Sequence, residues 1–344
     1  MAILVTGGAG YIGSHAVQRL LRDGRDVLVV DNLMRGHQEA VRRLEPKAGS
    51  SARLAFARLD INSRPALEKL LRDHKVDSVL HFAALAAVGE SVQDPLLYYH
   101  NNTAGMVSLL QACDAVGVTR MVFSSSCATY GQPPATHGPV GEDCPQNPIS
   151  PYGATKLHGE HLLRDYMMGC NLAKKPFAYA ALRYFNVAGS DRTGLIGEVH
   201  DPETHLIPVI LQHALGKRPH VGIFGTDYPT PDGTCIRDYV HVEDLIDAHV
   251  KVLEALKPGD ERHYNLGIGT GYSVRQIIDG VRRVTGKELK VVEQPRRPGD
   301  PPQLFNNPAK IQRELGWKAQ VTSLDETIES AWRFMKNHPN GYAG

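Results

Sequence analysis

The sequence has no apolar run near the roughly 18 consecutive residues that a membrane-spanning helix needs. It also lacks a signal-peptide core, because its first apolar residues run directly into a glycine-rich stretch at residues 7–13. Both absences lead us to expect a soluble protein that is not exported and that has no membrane partner.

Paired cysteines and an excess of one charge are also missing. The five cysteines among 344 residues are scattered, and none forms a Cys-x-x-Cys pair. This pattern indicates neither a disulfide framework nor a zinc knuckle and fits the reducing cytoplasm. The 38 basic and 37 acidic residues give a net charge of +1, which argues against a nucleic-acid partner bound through a broad basic surface.

One short segment has the residue types of a metal site. His158 and His161 bracket Glu160, but their spacing differs from the helical His-Glu-x-x-His pattern of zinc enzymes. We interpret the three as solvent-facing helix residues and expect no bound metal.

The first half of the chain alternates short apolar runs with longer amphipathic ones. Strands are predicted at residues 2–5, 27–30, 54–57, 78–82, 121–124 and 177–182, and helices at 11–21, 65–71, 98–116 and 152–166. Such alternation implies right-handed crossovers and a parallel sheet covered on both faces. The predicted fold class is therefore α/β, with a Rossmann-type doubly wound sheet.

The second half has a different texture. Glycine, proline and turn pairs crowd residues 188–202, 225–233 and 295–302, between helical stretches such as 242–256 and 273–284. We predict a Rossmann domain at residues 1–186, which includes the helix at 152–166, and a smaller loop-rich lobe for substrate at 187–336, with chain crossovers between them. The tail at 337–344 is expected to fray.

Three glycines at regular spacing, Gly7, Gly10 and Gly13, lie between the first predicted strand and helix. This spacing lets the backbone turn tightly and approach a pyrophosphate, whose charge the helix amides stabilise. Asp31 ends the second predicted strand, where a carboxylate binds an adenosine ribose and repels a 2′-phosphate. The pattern favours NAD, and the nearby Arg35 leaves NADP open.

A tyrosine and a lysine, Tyr152 and Lys156, lie four residues apart at the start of a predicted helix, so they share a face. The ammonium should lower a tyrosine pKa that is ordinarily near 10 and so make Tyr152 a base near neutral pH. Ser124 and Ser126 end a predicted strand, at the edge where open α/β sheets bind ligands. The alternatives are an idle pair on an exposed helix and serines that only complete a turn.

These motifs, in this order, resemble the extended short-chain dehydrogenase/reductase superfamily, and longer strings are similar to its UDP-glucose 4-epimerase family. The strings lie at residues 81–84, 87–91, 150–153, 182–186, 228–234 and 237–242, and the similarity extends from residue 2 to about 335. The resemblance implies a cytoplasmic, homodimeric isomerase. It would use NAD to interconvert UDP-glucose and UDP-galactose by transient oxidation at sugar C4.

The same resemblance implies residue roles. Tyr152 would be the catalytic acid/base, Lys156 would tune it and hold the nicotinamide ribose, and Ser126 would hydrogen-bond the sugar 4-hydroxyl. Besides the three glycines, NAD would be bound by Tyr11, Ile12, Asp31, Asn32, Asp60, Ile61, Phe82, Ala83, Ala84, Asn101, Ser124 and Phe185. The nucleotide sugar would be bound by Asn186, His205, Leu206, Phe224, Arg237, Arg297, Asp300 and Leu304.

Two positions depart from the family pattern. Ala86 stands where many relatives have a lysine, so we expect NAD to be held less tightly. Leu304 stands where some members have a tyrosine that closes the sugar pocket, so we expect room for an N-acetyl group and turnover of UDP-GlcNAc and UDP-GalNAc.

Three other functions remain open at this point. A UDP-pentose 4-epimerase acting on UDP-xylose and UDP-arabinose would use the same chemistry at C4. A nucleotide-sugar dehydratase needs a further acid/base pair, typically Asp-Glu after the strand-end hydroxyl, whereas Cys127 and Ala128 follow Ser126. A non-catalytic NAD-sensing regulator would be expected to have lost the tyrosine or the lysine.

Overall fold

The protein is represented by a computed structural model that describes residues 1–46, 50–133, 139–297 and 301–343. Its strands are β1 (Ala2–Thr6), β2 (Val27–Asp31), β3 (Leu54–Arg58), β4 (Val76–His81), β5 (Arg120–Ser124), β6 (Ala178–Tyr184), β7 (Asn186–Ala188), β8 (Val221–Phe224), β9 (Ile236–Arg237), β10 (Tyr239–His241), β11 (Glu261–Leu266), β12 (Tyr272–Ser273), β13 (Val291–Gln294) and β14 (Gln303–Leu304).

The helices are α1 (Tyr11–Arg22), α2 (Gln38–Arg42), α3 (Arg64–Asp73), α4 (Val88–Gln93), α5 (Pro95–Tyr98), α6 (Gly105–Val116), α7 (Pro151–Leu172), α8 (Leu206–Ala214), α9 (Val242–Ala255), α10 (Val274–Thr285), α11 (Ala309–Leu315) and α12 (Leu324–Asn337). A π-helical turn (Tyr99–Ala104) joins α5 to α6, and a short 3₁₀ helix (Cys127–Tyr130) follows β5.

Seven parallel strands form the large sheet, in the order β3-β2-β1-β4-β5-β6-β11. Its inner strands are apolar runs because both of their faces are covered; every residue of β2 and β6, for example, is buried. The order reverses between β1 and β4, which opens a crevice at the carboxyl ends of the strands. The predicted doubly wound α/β fold is confirmed, with strand bounds that shift by at most two residues.

Two apolar layers cover the sheet. On one face α1 and α9 supply residues such as Val17 and Leu245, and on the other face α3, α6 and α7 supply residues such as Leu67, Leu109 and Leu163. A third apolar cluster, built by α8, α10 and α12, forms the core of the smaller lobe. The crevice therefore lies on a rigid, well-packed scaffold.

The large sheet also takes two elements from the second half of the chain. β11 pairs in parallel with β6 along its whole length, and α9 packs on α1. No strand is predicted at 261–266, because four polar residues, Glu261, Arg262, His263 and Asn265, interrupt the apolar pattern of this segment.

The tail does not fray where the structure describes it. α12 extends to Asn337, and beyond it Tyr342 is buried with its hydroxyl donating to the carbonyl of Gly197 at 3.0 Å. Its ring also lies beside Phe334 and His37. The expected fraying is therefore wrong for this segment, because an aromatic anchor binds it. No helix in the described ranges has the length and apolar character needed to cross a membrane.

Candidate active site

The glycine turn after β1 is closely packed against its surroundings. Gly7 has a φ of +70°, and a Cβ there would lie 2.6 Å from the backbone nitrogen of Ala83 in the loop after β4. A Cβ on Gly13 would lie 2.1 Å from the carbonyl oxygen of Gly7. α1 begins directly after Gly10, so no side chain caps its first amides. The turn therefore suits a pyrophosphate that approaches the backbone closely.

The carboxylate of Asp31 lies beside this turn. It accepts hydrogen bonds from the backbone amides of Ala9 at 3.0 Å and Leu33 at 2.8 Å, and burial raises its pKa. Arg35, the cation that left NADP open, forms an ion pair with Glu90. A ribose diol fits this arrangement better than a 2′-phosphate does.

The other predicted cofactor residues follow the carboxyl ends of successive strands. Asn32 after β2 donates to Asp60 after β3 at 2.8 Å, and Ile61 is buried next to it. Phe82, Ala83, Ala84 and the exposed Ala86 follow β4, Ser124 ends β5, Phe185 follows β6, and Asn101 lies in the π-helical turn. Tyr11 opens α1 beside Ile12 and donates from its hydroxyl to the carbonyl of Gly189 at 2.6 Å.

The three predicted catalytic residues come together. The Ser126 side chain lies close enough to the Tyr152 phenol to favour a lower pKa for it, and the Ser126 hydroxyl accepts a hydrogen bond from the Ala128 amide at 3.1 Å. Lys156 is 4% exposed, and its ammonium lies 5.9 Å from the centre of the Tyr152 ring and donates to the Ser124 carbonyl at 2.7 Å. α7 therefore presents the tyrosine and the lysine to the end of β5.

The electrostatics of this group differ from the prediction. Burial raises the pKa of Tyr152, against the opposing effect of the nearby Ser126 hydroxyl, and burial lowers the pKa of Lys156 to about 7. The predicted lowering of the tyrosine pKa by Lys156 is wrong for the chain alone. Lys156 is buried and Tyr152 is partly buried, and the ammonium is directed to a carbonyl rather than to the phenol.

Several predicted substrate residues adjoin one another in the second lobe. The Arg297 guanidinium lies 3.7 Å from the centre of the Phe224 ring, and Arg237 donates to the carbonyl of Pro301 at 2.9 Å. Leu304 pairs with Arg237 across β14 and β9. Leu304 and Phe185 pack against an apolar cluster that contains Cys127, the residue after Ser126. This contact brings Leu304 to the catalytic side of the crevice.

The remaining predicted substrate residues are spread over three segments. Asn186 donates from its side chain to the carbonyl of Asp238 at 3.2 Å. His205 precedes α8, whose first residue is Leu206, and its Nδ1 lies 3.1 Å from a carboxylate oxygen of Glu203. Asp300 lies outside the described residues.

Sequence reasoning missed Asn102, which fixes the catalytic helix. Its side-chain nitrogen donates to the Leu85 carbonyl and to the Thr155 hydroxyl, both at 3.0 Å, and its oxygen accepts from the Leu85 amide at 2.9 Å. Asn102 thus ties the loop after β4 to α7 from within the π-helical turn, a conformation that is common at functional sites. The only sequence signal for Asn102 is a side-chain amide within the long predicted helix at residues 98–116.

The expected exposure of Glu160 is wrong, whereas His158 and His161 are exposed as predicted. Glu160 is buried and forms a bidentate ion pair with Arg183 of β6, with nitrogen–oxygen distances of 2.6 and 2.9 Å. Burial alone would raise the Glu160 pKa, but the bonds from Arg183 lower it overall. Ser125 also donates to this carboxylate, so the ion pair helps to hold the segment between Ser124 and Ser126 in place.

Comparison with known proteins adds to this geometry. A family model described as the NAD dependent epimerase/dehydratase family matches residues 3–267. The chain belongs to this family. Epimerase/dehydratase proteins similar to it include the UDP-glucose 4-epimerase of Lactobacillus helveticus, which is 48% identical with 99% of each chain covered. The probable UDP-arabinose 4-epimerase 3 of Arabidopsis thaliana is 45% identical and covers 99% of this chain and 82% of its own.

A solved member of the epimerase/dehydratase family has nearly the same structure. The UDP-glucose-4-epimerase of Stenotrophomonas maltophila, crystallised with NAD and formylated UDP-arabinopyranose, gives a TM-score of 0.91 at 39% identity, with 99% of each chain covered. These relatives confirm the resemblance to UDP-glucose 4-epimerases. The glycine turn without room for a Cβ and the amide-held Asp31 fit NAD, the cofactor of the family.

Proposed function

We propose that the protein is an isomerase that uses NAD to interconvert UDP-glucose and UDP-galactose through transient oxidation at sugar C4. The observation that supports this most directly is the close approach of Ser126 and the buried Lys156 to the Tyr152 side chain. These residues lie on the same edge of the sheet as the glycine turn and Asp31. An acid/base group is thus positioned at a dinucleotide site.

The chain's own residues handle the proton. Ser126 orients the sugar 4-hydroxyl toward Tyr152, which takes the proton and later returns it. When bound, NAD supplies the acceptor for the hydride that leaves C4 and the donor that returns it to the opposite face. Since burial raises the pKa of Tyr152, the phenol keeps its proton until positive charge offsets that burial. The Lys156 ammonium, 5.9 Å from the centre of the Tyr152 ring, does not supply that charge in the chain alone.

Inversion at C4 also requires the 4-keto sugar to turn over within the site. A firmly held nucleotide and a loosely held hexose satisfy this requirement. Arg237, Arg297 and Phe224 form the polar and aromatic surface proposed to hold the nucleotide, whereas Leu304 offers the sugar only apolar contact. Guanidinium groups are well suited to a diphosphate.

Product identification tests the substrate range. The protein is incubated separately with UDP-glucose, UDP-GlcNAc and UDP-xylose, and the nucleotide sugars are identified by chromatography and NMR. We expect UDP-galactose from the first and, because Leu304 leaves room for an N-acetyl group, UDP-GalNAc from the second. No change in any of the three would overturn the proposed function.

The matched variant Leu304→Tyr places a bulky ring against the cluster of Cys127 and Phe185. We expect it to lower kcat/KM for UDP-GlcNAc at least about tenfold while UDP-glucose turnover changes little, because only the larger sugar meets the ring. Steady-state rates with both sugars measure the ratio. Rapid UDP-glucose turnover without any UDP-GlcNAc turnover in the unmodified protein would refute the assigned role of Leu304.

A UDP-pentose 4-epimerase is the second candidate. It is favoured by the Arabidopsis thaliana relative and by the arabinopyranose in the Stenotrophomonas maltophila structure. UDP-arabinose formed from UDP-xylose, without turnover of either hexose, would establish this alternative.

We further propose a homodimer in the cytoplasm. Apolar side chains are exposed on the adjacent helices α4, α5 and α7, among them Val92, Leu96 and Leu172, a surface that a second copy would cover. All five cysteines are free, which suits a reducing compartment. Light scattering after gel filtration tests the dimer, and Leu96→Glu should shift the mass toward that of the monomer.

A further inference from the structure

Four side chains with metal-ligating atoms converge between β7 and α8. Glu198, His200, Glu203 and His205 each place one such atom within 4.8 Å of the others. Both carboxylates are buried, whereas 51% of the His205 side chain is exposed. The cluster is therefore enclosed on the carboxylate side and open to solvent on one side.

The distances within this His/Glu cluster have an unusual pattern. His200 Nδ1 lies 3.3 Å from an oxygen of each glutamate, and His205 Nδ1 lies 2.9 Å from Glu198 and 3.1 Å from Glu203. An imidazole nitrogen has a single in-plane hydrogen or lone pair, so it bonds well to only one of two carboxylates. Here both nitrogens face both carboxylates, which places all four groups around one centre.

The distances between these nitrogen and oxygen atoms are close to those between the ligands of one shared ion. Ligands about 2.0–2.1 Å from a tetrahedral metal lie about 3.4 Å from one another. The Nδ1 atoms of His200 and His205 lie 3.3 and 2.9 Å from the same oxygen of Glu198, which is close to that value. They contact different oxygens of Glu203, Oε2 at 3.3 Å and Oε1 at 3.1 Å, so this carboxylate could bind the ion through either oxygen. Two imidazoles and two carboxylates are typical ligands of zinc-class divalent ions, whereas Mg²⁺ and Ca²⁺ prefer oxygen alone.

One ligand is already held in position by the backbone. Oε1 of Glu203 accepts hydrogen bonds from the amides of Thr204 at 2.8 Å and His205 at 2.9 Å. Such outer contacts orient a ligating carboxylate before an ion arrives. Because all four residues lie within eight positions of the chain, the site forms whenever this one loop is folded.

We propose that Glu198, His200, Glu203 and His205 bind one zinc-class divalent ion, which fixes the loop between β7 and α8. The imidazoles bind the ion as neutral ligands and release to solvent any proton they carry, and the two carboxylates balance the double positive charge of the ion. With four protein ligands the coordination of the ion is complete, as it is in structural zinc sites. The proposal rests on the geometry of this cluster and not on the proposed epimerase activity, although His205 is also among the residues predicted to bind the nucleotide sugar.

The test uses the full-length protein, treated with a chelator and dialysed. The metal-free protein is titrated with Co²⁺, and binding is followed by the visible bands of the tetrahedral ion. A second metal-free sample is loaded with Zn²⁺ and dialysed, and the Zn²⁺ that it retains is measured by mass spectrometry of the metal. We expect one ion per chain and a higher unfolding temperature in Zn²⁺. These readouts are independent of turnover, so failure of the proposed epimerase activity would leave them unchanged.

Variants assign the ion to the cluster. Glu198→Gln and His200→Asn should each lower the affinity at least about tenfold, whereas the exposed His161→Ala on α7 should bind as the unmodified protein does. Circular dichroism verifies that each variant is folded. The absence of a bound ion in the unmodified protein, or undiminished binding in either folded cluster variant, would overturn the proposal.

Discussion

Tyr152 is the single residue on which the proposed chemistry depends, because its phenol is the group that takes and returns the sugar proton. We expect Tyr152→Phe to lower kcat at least about 100-fold, the usual contribution of a positioned acid/base group. UDP binding, measured by calorimetry, should change little because the ring itself remains. Tyr166→Phe, further along the same helix with its hydroxyl donating to Asp114, serves as the control and should keep normal activity. Near-normal turnover by Tyr152→Phe would contradict the assignment.

Lys156 makes the stability of the NAD-free protein depend on pH. Burial lowers its pKa from 10.5 to about 7, so between these values the unfolded chain binds the proton that the folded chain releases. The free energy of unfolding must then rise with pH in this window, by at most about 1.4 kcal/mol per pH unit. Below pH 7 the burial of Lys156 destabilises the folded protein to its full extent.

The variant Lys156→Met removes this penalty. We expect it to be more stable than the unmodified protein near pH 6, with the advantage shrinking as the pH rises from about 7 to 9. Urea unfolding at three pH values, after removal of bound cofactor, measures the difference. If the free energy of unfolding changed with pH in the same way in the two proteins, the buried ammonium would not be the cause of the pH dependence.

The motif residues could be placed from the sequence because each follows a recognisable strand or opens a helix. Their protonation could not, since it depends on burial and on the direction of the Lys156 bond to the Ser124 carbonyl. Asn102 and the pair of Glu160 and Arg183 lie in no motif, and their partners are distant in sequence. Only the folded chain brings such partners together.

At the scale of elements, the junction of β1 and α1 tolerates no side chain at Gly13. A Cβ there would approach the Gly7 carbonyl oxygen to 2.1 Å, so Gly13→Ala should displace the turn and remove most bound NAD. Gly169→Ala in α7 is the matched control, because a Cβ there meets no atom within 4 Å. This control should gain about 0.5–1 kcal/mol of helix stability. NAD content and melting temperature measure both variants, and normal NAD content in Gly13→Ala would refute this account.

The elements of the first half follow their patterns closely, because buried parallel strands are apolar throughout and their helices are amphipathic. Two elements do not. The π-helical turn at Tyr99–Ala104 depends on the bonds of Asn102 to Leu85 and Thr155. β11 carries polar residues such as Arg262 and is recruited to the sheet by pairing with β6, so its own pattern gives no strand signal.

For the whole molecule, the order of segments along the chain differs from their order in space. The sheet that carries the glycine turn and Ser126 is completed by β11, and its α1 layer by α9, both from beyond residue 240. Phe224 at the end of β8 and Arg237 in β9 precede these two elements in the chain, whereas Arg297 follows them. We propose that the dinucleotide and substrate surfaces form in one folding event rather than in two independent domains.

Fragments of the chain test this proposal. Residues 1–186 alone would leave the fully buried β6 as an open edge and expose the α1 residues Val17 and Leu20, which α9 covers. An exposed apolar strand edge promotes aggregation, so we expect this fragment to be insoluble or without cooperative unfolding. The fragment 1–267 restores β11 and α9 and should show a larger soluble fraction. Solubility, circular dichroism and NAD binding compare both with the full chain. If residues 1–186 unfold cooperatively and bind NAD as the full chain does, the nucleotide-binding half is autonomous and the single-event proposal is wrong.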